Sequence, residues 1–145
     1  MSIPHYSTCF VCGLNNERGL KLQFHYDYPT KEISTKFVLR KWLEGYRGLI
    51  HGGIVASILD DGMGWAVYPE TGDYYLTLEL DVKYKKPVRP NTEYIFKGRI
   101  TNLRLGYFFT KGEILDREGD ICVTAIGKYK RIPSPPENNT QSQTK

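Results

Sequence analysis

Hydrophobic residues recur with helical spacing along one long stretch of the chain, residues 50–68. On a helical wheel of about 100° per residue, the larger apolar side chains share one broad face: Ile54, Val55, Ile58, Leu59, Trp65 and Ala66. The other face combines small residues with one carboxylate: Gly53, Ala56, Ser57, Asp60 and Gly64. Pro69 lacks a backbone N–H, so the helix is predicted to end there. Because small side chains let a ligand approach the helix backbone, this small-residue face is the first candidate binding surface.

Apolar and polar residues alternate through most of the remaining chain, which predicts β-strands. The predicted strands are residues 20–28, 32–40, 74–84, 93–103, 107–116 and 121–132, with tight turns at 29–31 and 117–120. Alternation within residues 74–84 places Thr77 on one face of its strand and Leu78, Leu80, Val82 and Tyr84 on the other. One helix among about six antiparallel strands predicts an α+β fold, in which a sheet wraps round a central helix.

The length of 145 residues suits one hydrophobic core and is too short for two. We assign this domain to residues 1–132, because residues 133–145 are rich in Pro, Ser, Asn and Gln and are predicted to be a disordered tail. A single sheet that covers one helix leaves one face bare. Dimerisation through that sheet or its edge is therefore expected.

The charge of the chain is mildly positive, with a formal net charge of +4. The basic residues are dispersed and no basic aromatic motif occurs, so nucleic acid is not a predicted partner. A small polyanionic substrate such as coenzyme A is compatible with this charge. No apolar run approaches the roughly 20 residues of a membrane span, and the N-terminus lacks the apolar region of a signal peptide. The expectation is a cytoplasmic protein without a membrane partner.

The three cysteines raise the question of a metal site. Cys9 and Cys12 have the spacing of half a zinc site, and His5 and His25 are nearby in the sequence. A second cysteine pair is missing, so the default interpretation is reduced, buried thiols with no metal. Cys122 falls within a strand pattern and is predicted to lie in the core. No cofactor is implied.

The start of the predicted helix offers groups that can act on a carbonyl. Gly52 and Gly53 carry no side chains, so the free N–H groups of the first turn stay open to a ligand oxygen. Asp60 lies roughly 10 Å further along the axis and faces the same way, whereas Asp61 lies toward the side of that face. The reacting carboxylate can belong to this helix or to a facing subunit's helix.

A purely structural interpretation treats residues 51–53 as a tight turn and Asp60-Asp61 as a solvated patch. Four glycines within this helix disfavour that interpretation, because each costs about 1 kcal/mol relative to alanine.

Three motifs resemble those of the hotdog-fold acyl-CoA thioesterases, the group that contains the phenylacetate-pathway type and the human thioesterase-superfamily proteins. The first is His51-Gly52-Gly53 with Asp60 nine residues after the histidine. The second is residues 77–88, TLELDVKYKKPV, and the third is the lead-in of residues 9–15, CFVCGLN, followed by Gly19-Leu20. Together they cover most of residues 9 to 130, in the same order and spacing as in that family.

This resemblance implies the hotdog fold and a homodimer or homotetramer, in which two subunits form a continuous sheet with two active sites at their interface. The implied reaction is hydrolysis of an acyl-CoA thioester. In that reaction the Gly52 or Gly53 N–H would stabilise the oxyanion, and Asp60 would act as general base or nucleophile. His51 would shape the turn or hydrogen-bond the substrate, and Thr77 of the second subunit would orient the water.

The candidates for binding the substrate are Lys85, Lys86, Arg89, Trp42, Tyr46 and Ser57. The three basic residues are suited to the phosphates of coenzyme A, although a solvated strand end would look the same. The two aromatic residues are candidate walls of the acyl pocket, and the alternative for them is ordinary aromatic core.

Two other functions fit the same motifs. A non-catalytic acyl-CoA-binding hotdog module would keep the groove, but it would not need the carboxylate of Asp60. A hotdog dehydratase typically pairs a histidine with a carboxylate on this helix, whereas His51 precedes the helix. Thioester hydrolysis is therefore the favoured function.

Overall fold

Six strands and one long helix account for most of the structure, a computed structural model that describes residue 3 and residues 6–136. The elements are β1 (His25–Asp27), β2 (Glu32–Val38), a 3-10 turn (Lys41–Leu43), α1 (Gly52–Trp65), α2 (Tyr68–Thr71), β3 (Tyr74–Tyr84), β4 (Glu93–Leu103), β5 (Tyr107–Leu115) and β6 (Ile121–Ile132). Most of the predicted tail, residues 137–145, lies outside the described residues.

The strands form one antiparallel sheet in the order β1-β2-β4-β5-β6-β3. The sheet packs against α1 through five of its strands, β2 to β6. Fully buried side chains from both partners meet there: Ile58, Leu59 and Met63 from the helix, with Phe96, Phe108 and Tyr129 from the sheet. The predicted α+β class, with a six-stranded antiparallel sheet round one helix, is confirmed.

The long helix is shorter than its hydrophobic pattern predicts. It ends at Trp65, and a second short helix, α2, begins at Tyr68. Pro69 therefore lies in the first turn of α2 rather than at the end of α1. Proline is favoured at that position, because its missing N–H would have no intrahelical partner in any case. Among the described residues, no helix has the length and apolarity needed to cross a membrane.

Strand β1 is also shorter than predicted, because residues 20–24 pair with the lead-in rather than with the sheet. The Leu20 N–H donates to the Phe10 carbonyl at 2.8 Å, and the Leu22 N–H donates to the Val11 carbonyl at 2.9 Å. These bonds satisfy backbone groups that a longer β1 would have paired with β2. They fix residues 6–19, the segment that contains the CFVCGLN motif and is called the lead-in from here on, against the domain.

A β-bulge in β3 changes which side chains face the helix. The pairing of β3 with β6 shifts between Thr77 and Glu79, which leaves Leu78 as the extra residue. Thr77 therefore faces α1, as do Leu80 and Val82 on the other side of the bulge. Strict alternation had placed Thr77 on the opposite face from Leu80, and that prediction is wrong.

Two of the helix glycines have a packing role. A Cβ atom on Gly64 would lie 2.3 Å from the Tyr75 ring, and one on Gly62 would lie 2.3 Å from the Phe96 ring. Both glycines are buried. Gly64 is therefore part of the packed side of α1 and does not extend the small-residue face, because aromatic rings occupy the space that its side chain would need.

Candidate active site

The first turn of α1 is capped by His51. Its Nδ1 accepts a hydrogen bond from the Gly53 N–H at 2.9 Å, which satisfies one of the orphan donors of a helix start. The Gly52 N–H has no partner among the described residues, and the Gly52 carbonyl accepts from the Tyr84 hydroxyl at 2.6 Å. The sequence pointed to Gly52 and Gly53 equally, whereas this geometry leaves the Gly52 N–H as the available donor.

Asp60 is half-buried and is held by two hydroxyl groups. Its Oδ1 accepts from Thr77 Oγ1 at 2.9 Å and from the Tyr129 hydroxyl at 3.3 Å. Thr77 thus contacts the carboxylate of its own chain, and its role in orienting water at a site shared between subunits stays a prediction. Burial raises the pKa of Asp60, and the two hydrogen bonds partly oppose that rise.

The neighbouring carboxyl, Asp61, points into the protein and is only 7% exposed. The Tyr75 hydroxyl donates to its Oδ1 at 2.7 Å, and the Cys9 thiol lies 3.6 Å from the same oxygen. Burial raises the pKa of Asp61 to about 7. The alternative of a solvated Asp60-Asp61 patch is therefore wrong for Asp61. This carboxyl group is buried, so a substrate bound at the protein surface does not contact it.

The cysteines differ in their surroundings. Cys122 is buried in β6, as predicted. Cys12 is buried and Cys9 is half-buried, and a hydrogen bond between them lowers the pKa of Cys9. His25 is exposed on β1, and His5 lies outside the described residues.

A shallow pocket of about 420 Å³ opens beside the start of α1 and is lined by Trp42, Leu43, Glu44, His51, Gly53 and Ile54. Trp42 and Tyr46 are 78% and 85% exposed, so neither belongs to an aromatic core within this chain. Trp42 forms a wall of the pocket and Tyr46 does not. The Ser57 hydroxyl donates to the Gly53 carbonyl at 2.8 Å, one turn into the helix.

The three basic candidates are exposed but differ in their partners. Lys86 forms an ion pair with Asp120, with 2.9 Å between Nζ and Oδ2. Arg89 Nη1 lies 3.5 Å from the Gly48 carbonyl. A backbone hydrogen bond from the Ile50 N–H to the Val88 carbonyl at 2.8 Å joins this segment to the helix entry. The segment that carries these residues therefore adjoins the segment that leads into α1.

A second depression, of about 430 Å³, lies elsewhere in the sheet and contains none of the candidate residues. Its lining mixes both signs of charge, with Asp81, Lys97, Lys111 and Glu113 among its side chains. None of its lining residues belongs to the start of α1, which does line the pocket of about 420 Å³, so the geometry favours that pocket.

Sequence reasoning did not find Tyr129, which holds Asp60, or Tyr75, which holds Asp61. Both lie on predicted strands, where alternation marks an inward position and nothing more. Only the pairing of β3 beside β6 places both hydroxyls against one helix.

Comparison with known proteins adds an independent line of evidence. The sequence model of the thioesterase superfamily matches residues 47–123. An uncharacterised protein of Schizosaccharomyces pombe is 27% identical over 132 residues, which cover 88% of this chain and 70% of that protein. The acyl-coenzyme A thioesterase THEM4 of Rattus norvegicus is 30% identical over 79 residues, 54% of this chain and 34% of the rat protein. This chain therefore aligns with about a third of the rat enzyme.

Two of the many solved structures that share the fold serve for comparison. The crystal structure of a thioesterase superfamily protein has a TM-score of 0.76 at 22% identity, covering 83% of this chain and 62% of that one. A hypothetical thioesterase of Streptococcus pneumoniae, solved with coenzyme A, has a TM-score of 0.65 at 19% identity, covering 70% of this chain and 78% of that one. At these identities the likeness shows the fold alone, and that fold is the hotdog fold.

Proposed function

The chain belongs to the thioesterase superfamily, and from this premise we propose that it hydrolyses an acyl-CoA thioester to the free acid and coenzyme A. The observation that carries the proposal is the half-buried Asp60 carboxylate, which Thr77 and Tyr129 hold in place. It lies on the same helix whose first N–H, that of Gly52, is open. Thioester hydrolysis needs these two elements, an oxyanion donor and a base or nucleophile.

The Gly52 N–H is suited to the developing negative charge on the thioester oxygen. It lies at the positive end of the α1 dipole, where an anionic oxygen is stabilised. The Tyr84 hydroxyl donates to the Gly52 carbonyl, which lies on the next peptide group, and so anchors the first residue of α1 against β3. Trp42 and Ile54 supply apolar surface beside it for the acyl group.

Asp60 has one oxygen occupied by hydroxyl donors and a second that neither of them contacts. As general base, Asp60 would take a proton from water while the water oxygen attacks the thioester carbon, and the C–S bond would then break to release the thiolate. As nucleophile, an Asp60 oxygen would attack the thioester carbon, the C–S bond would break to release the thiolate, and water would hydrolyse the resulting anhydride. Both routes end in the acid and coenzyme A.

The distance along α1 determines how the two groups can cooperate. Gly52 and Asp60 are eight residues apart, which corresponds to about 12 Å along the helix axis. One thioester carbonyl cannot meet both groups of the same chain. The proposed site therefore combines the Gly52 N–H of one subunit with the Asp60 of its partner, in a homodimer or a homotetramer of such dimers.

The edge of the sheet offers a surface for that association. Strand β3 ends the sheet and, among the described residues, pairs only with β6. Leu76 and Leu78 are exposed along it. An unpaired edge with apolar side chains is a template for pairing with a second copy, and such pairing would place α1 of one subunit near α1 of the other.

The phosphates of coenzyme A would meet the basic segment beside the helix entry. Arg89 and Lys85 are exposed there, whereas the Lys86 ammonium is already engaged by Asp120. Contacts of this kind align a substrate through groups far from the reacting bond.

The test is turnover of a panel of aliphatic and aromatic acyl-CoA substrates by the wild type and by Asp60→Asn. This change keeps the side-chain volume and removes both base and nucleophile, so we expect kcat to fall at least about a hundredfold. Binding of a non-hydrolysable acyl-CoA analogue should persist. Asp81→Asn, an exposed aspartate on β3, is the matched control and should turn over like the wild type.

Near-wild-type hydrolysis by Asp60→Asn would contradict the assigned role. If the wild type binds the analogue but hydrolyses no member of the panel, the non-catalytic acyl-CoA-binding module is the correct function.

A further inference from the structure

A cluster of three ionisable side chains lies away from the reacting groups. It consists of Cys9 and Cys12 from the lead-in and Asp61 from α1. One ligand atom from each lies within 4.8 Å of the other two. Asp61 is 52 residues from Cys9 in the sequence, so the cluster joins two distant parts of the chain. The mechanism proposed above uses none of these three side chains.

The lead-in bends tightly between the two cysteines. The Gly13 N–H donates to the Cys9 carbonyl at 2.9 Å, and the Val11 N–H donates to Cys9 Sγ at 3.4 Å. A Cβ atom on Gly13 would lie 2.5 Å from the Cys9 nitrogen, so a larger residue does not fit this turn. Backbone N–H donors to sulfur orient a thiolate ligand and stabilise its charge.

The carboxyl group of Asp61 has one oxygen whose hydrogen-bonding capacity is not satisfied. Its Oδ1 is occupied by the Tyr75 hydroxyl, whereas its buried Oδ2 has no hydrogen-bond partner among the described residues. A buried carboxylate without a full set of partners is costly, and a cation is one group that can satisfy it. The sulfur atoms of Cys9 and Cys12 lie within 4.8 Å of an oxygen of this carboxyl group.

The spacing of the cluster fits a tetrahedral metal ion. In such a site sulfur lies about 2.3 Å and oxygen about 2.0 Å from zinc, which places the two ligands about 3.5 Å apart. The observed distance from Cys9 Sγ to Asp61 Oδ1 is 3.6 Å. Thiolate ligands select Zn²⁺ over Mg²⁺ and Ca²⁺, which prefer oxygen alone.

We propose that Cys9, Cys12 and Asp61 bind one Zn²⁺, with water as the fourth ligand. Binding releases the two thiol protons to solvent, and the three negative ligands then face a divalent cation. The ion links the lead-in to α1 and has a structural role, since it lies on the side of Asp61 rather than that of Asp60. This site is independent of the proposed hydrolysis and would persist if that proposal failed.

The test is a Co²⁺ titration of the reduced 145-residue chain, because Co²⁺ replaces Zn²⁺ and gives thiolate charge-transfer absorption. We expect the wild type to bind one Co²⁺ per chain with these bands, and Zn²⁺ to displace it. Cys9→Ser keeps the shape of a half-buried side chain but removes a thiolate, so Co²⁺ binding should weaken at least about a hundredfold. Asp61→Asn should also weaken binding.

The matched control is Cys122→Ser, which alters a buried cysteine outside the cluster. It should bind Co²⁺ like the wild type, and Zn²⁺ should raise its unfolding temperature as it raises that of the wild type. Absence of thiolate bands in the wild type would overturn the proposal. Equal Co²⁺ binding by the wild type and Cys9→Ser would overturn it as well.

Discussion

Asp60 and Asp61 are adjacent in the sequence, but the two sides of α1 on which they lie differ in almost every other respect. Asp60 is half-buried beside two hydroxyls at the open side of the helix, and Asp61 is closed in by the Tyr75 ring and the lead-in. A rotation of about 100° between consecutive residues is enough to separate them. The chemistry available to a carboxylate on this helix is therefore set by what the sheet and the lead-in place against it.

On the solvent-accessible side of α1, the question is whether the Gly52 N–H and the Asp60 carboxylate of one site belong to the same subunit. Gly52→Pro removes the proposed donor while keeping the helix, because Pro is favoured at the first helical position. The preceding residue, His51, already has the extended conformation that a following Pro requires, with φ −56° and ψ 133°. Gly52→Pro and Asp60→Asn should each be nearly inactive alone.

Mixing these two variants should restore activity if sites are shared. In a random one-to-one exchange, half of the dimers are mixed and each mixed dimer has one intact site, which predicts about a quarter of wild-type activity. The measurement is thioester turnover after subunit exchange, with separately exchanged parents as the control. No recovery would show that Gly52 and Asp60 do not act across an interface.

On the side of α1 that packs against the sheet, substitutions should change the free energy of unfolding. Gly62→Ala puts a Cβ atom 2.3 Å from the Phe96 ring, so overpacking should outweigh alanine's better helix propensity and cost about 1–3 kcal/mol of unfolding free energy. Gly53→Ala, at the open start of the same helix, meets only the His51 ring at 3.1 Å and is the matched control. Chemical denaturation measures both, and equal changes would contradict this division of the helix.

The Thr77 hydroxyl, one of the two that contact Asp60, can be removed by a substitution that keeps the shape of the threonine side chain. Thr77→Val deletes one of the two donors to Oδ1, so the carboxylate should be less well oriented and kcat should fall about tenfold. Rescue by Thr77→Ser, which restores the hydroxyl, separates positioning from packing. If Thr77→Val and Thr77→Ser have the same kcat, the hydrogen bond does not position Asp60.

The smallest effect is expected from Lys85, Lys86 and Arg89, whose side chains are exposed and supply neither of the proposed reacting groups. Changing Lys85, Lys86 and Arg89 together to Ala should raise KM for acyl-CoA by a few-fold, and added salt should reduce the difference because exposed charges are screened. A short acyl thioester that lacks the nucleotide should be hydrolysed as before. An unchanged KM for acyl-CoA would mean that the segment is only a solvated strand end.

Much of the fold could be predicted from side-chain alternation, since β3, β4 and β6 have the predicted bounds. The errors occur where a partner that is distant in sequence decides the outcome. Residues 20–24 have a strand pattern, but the lead-in takes their backbone groups. Helical periodicity continued past Trp65, because an apolar turn and a short second helix extend the same spacing.

The candidate site was predictable in part. Asp60 and the glycines before it are marked by their spacing on one helix face, a local property. Tyr129 lies 69 residues from Asp60 and Cys9 lies 52 residues from Asp61, and no spacing rule connects such positions. The outward Trp42 and Tyr46 were also undecidable, because an aromatic residue in a loop suits core and surface alike.

The extra residue in β3, Leu78, reverses the alternation of inward and outward side chains along the strand. Before Leu78 the odd-numbered side chains face the helix, and after it the even-numbered ones do. Without Leu78, regular alternation could not direct Thr77, Leu80 and Val82 to the same face. The strand would lose either the Thr77 contact with Asp60 or the Leu80 and Val82 contacts with the core. A Leu78 deletion variant should therefore lose either turnover or stability.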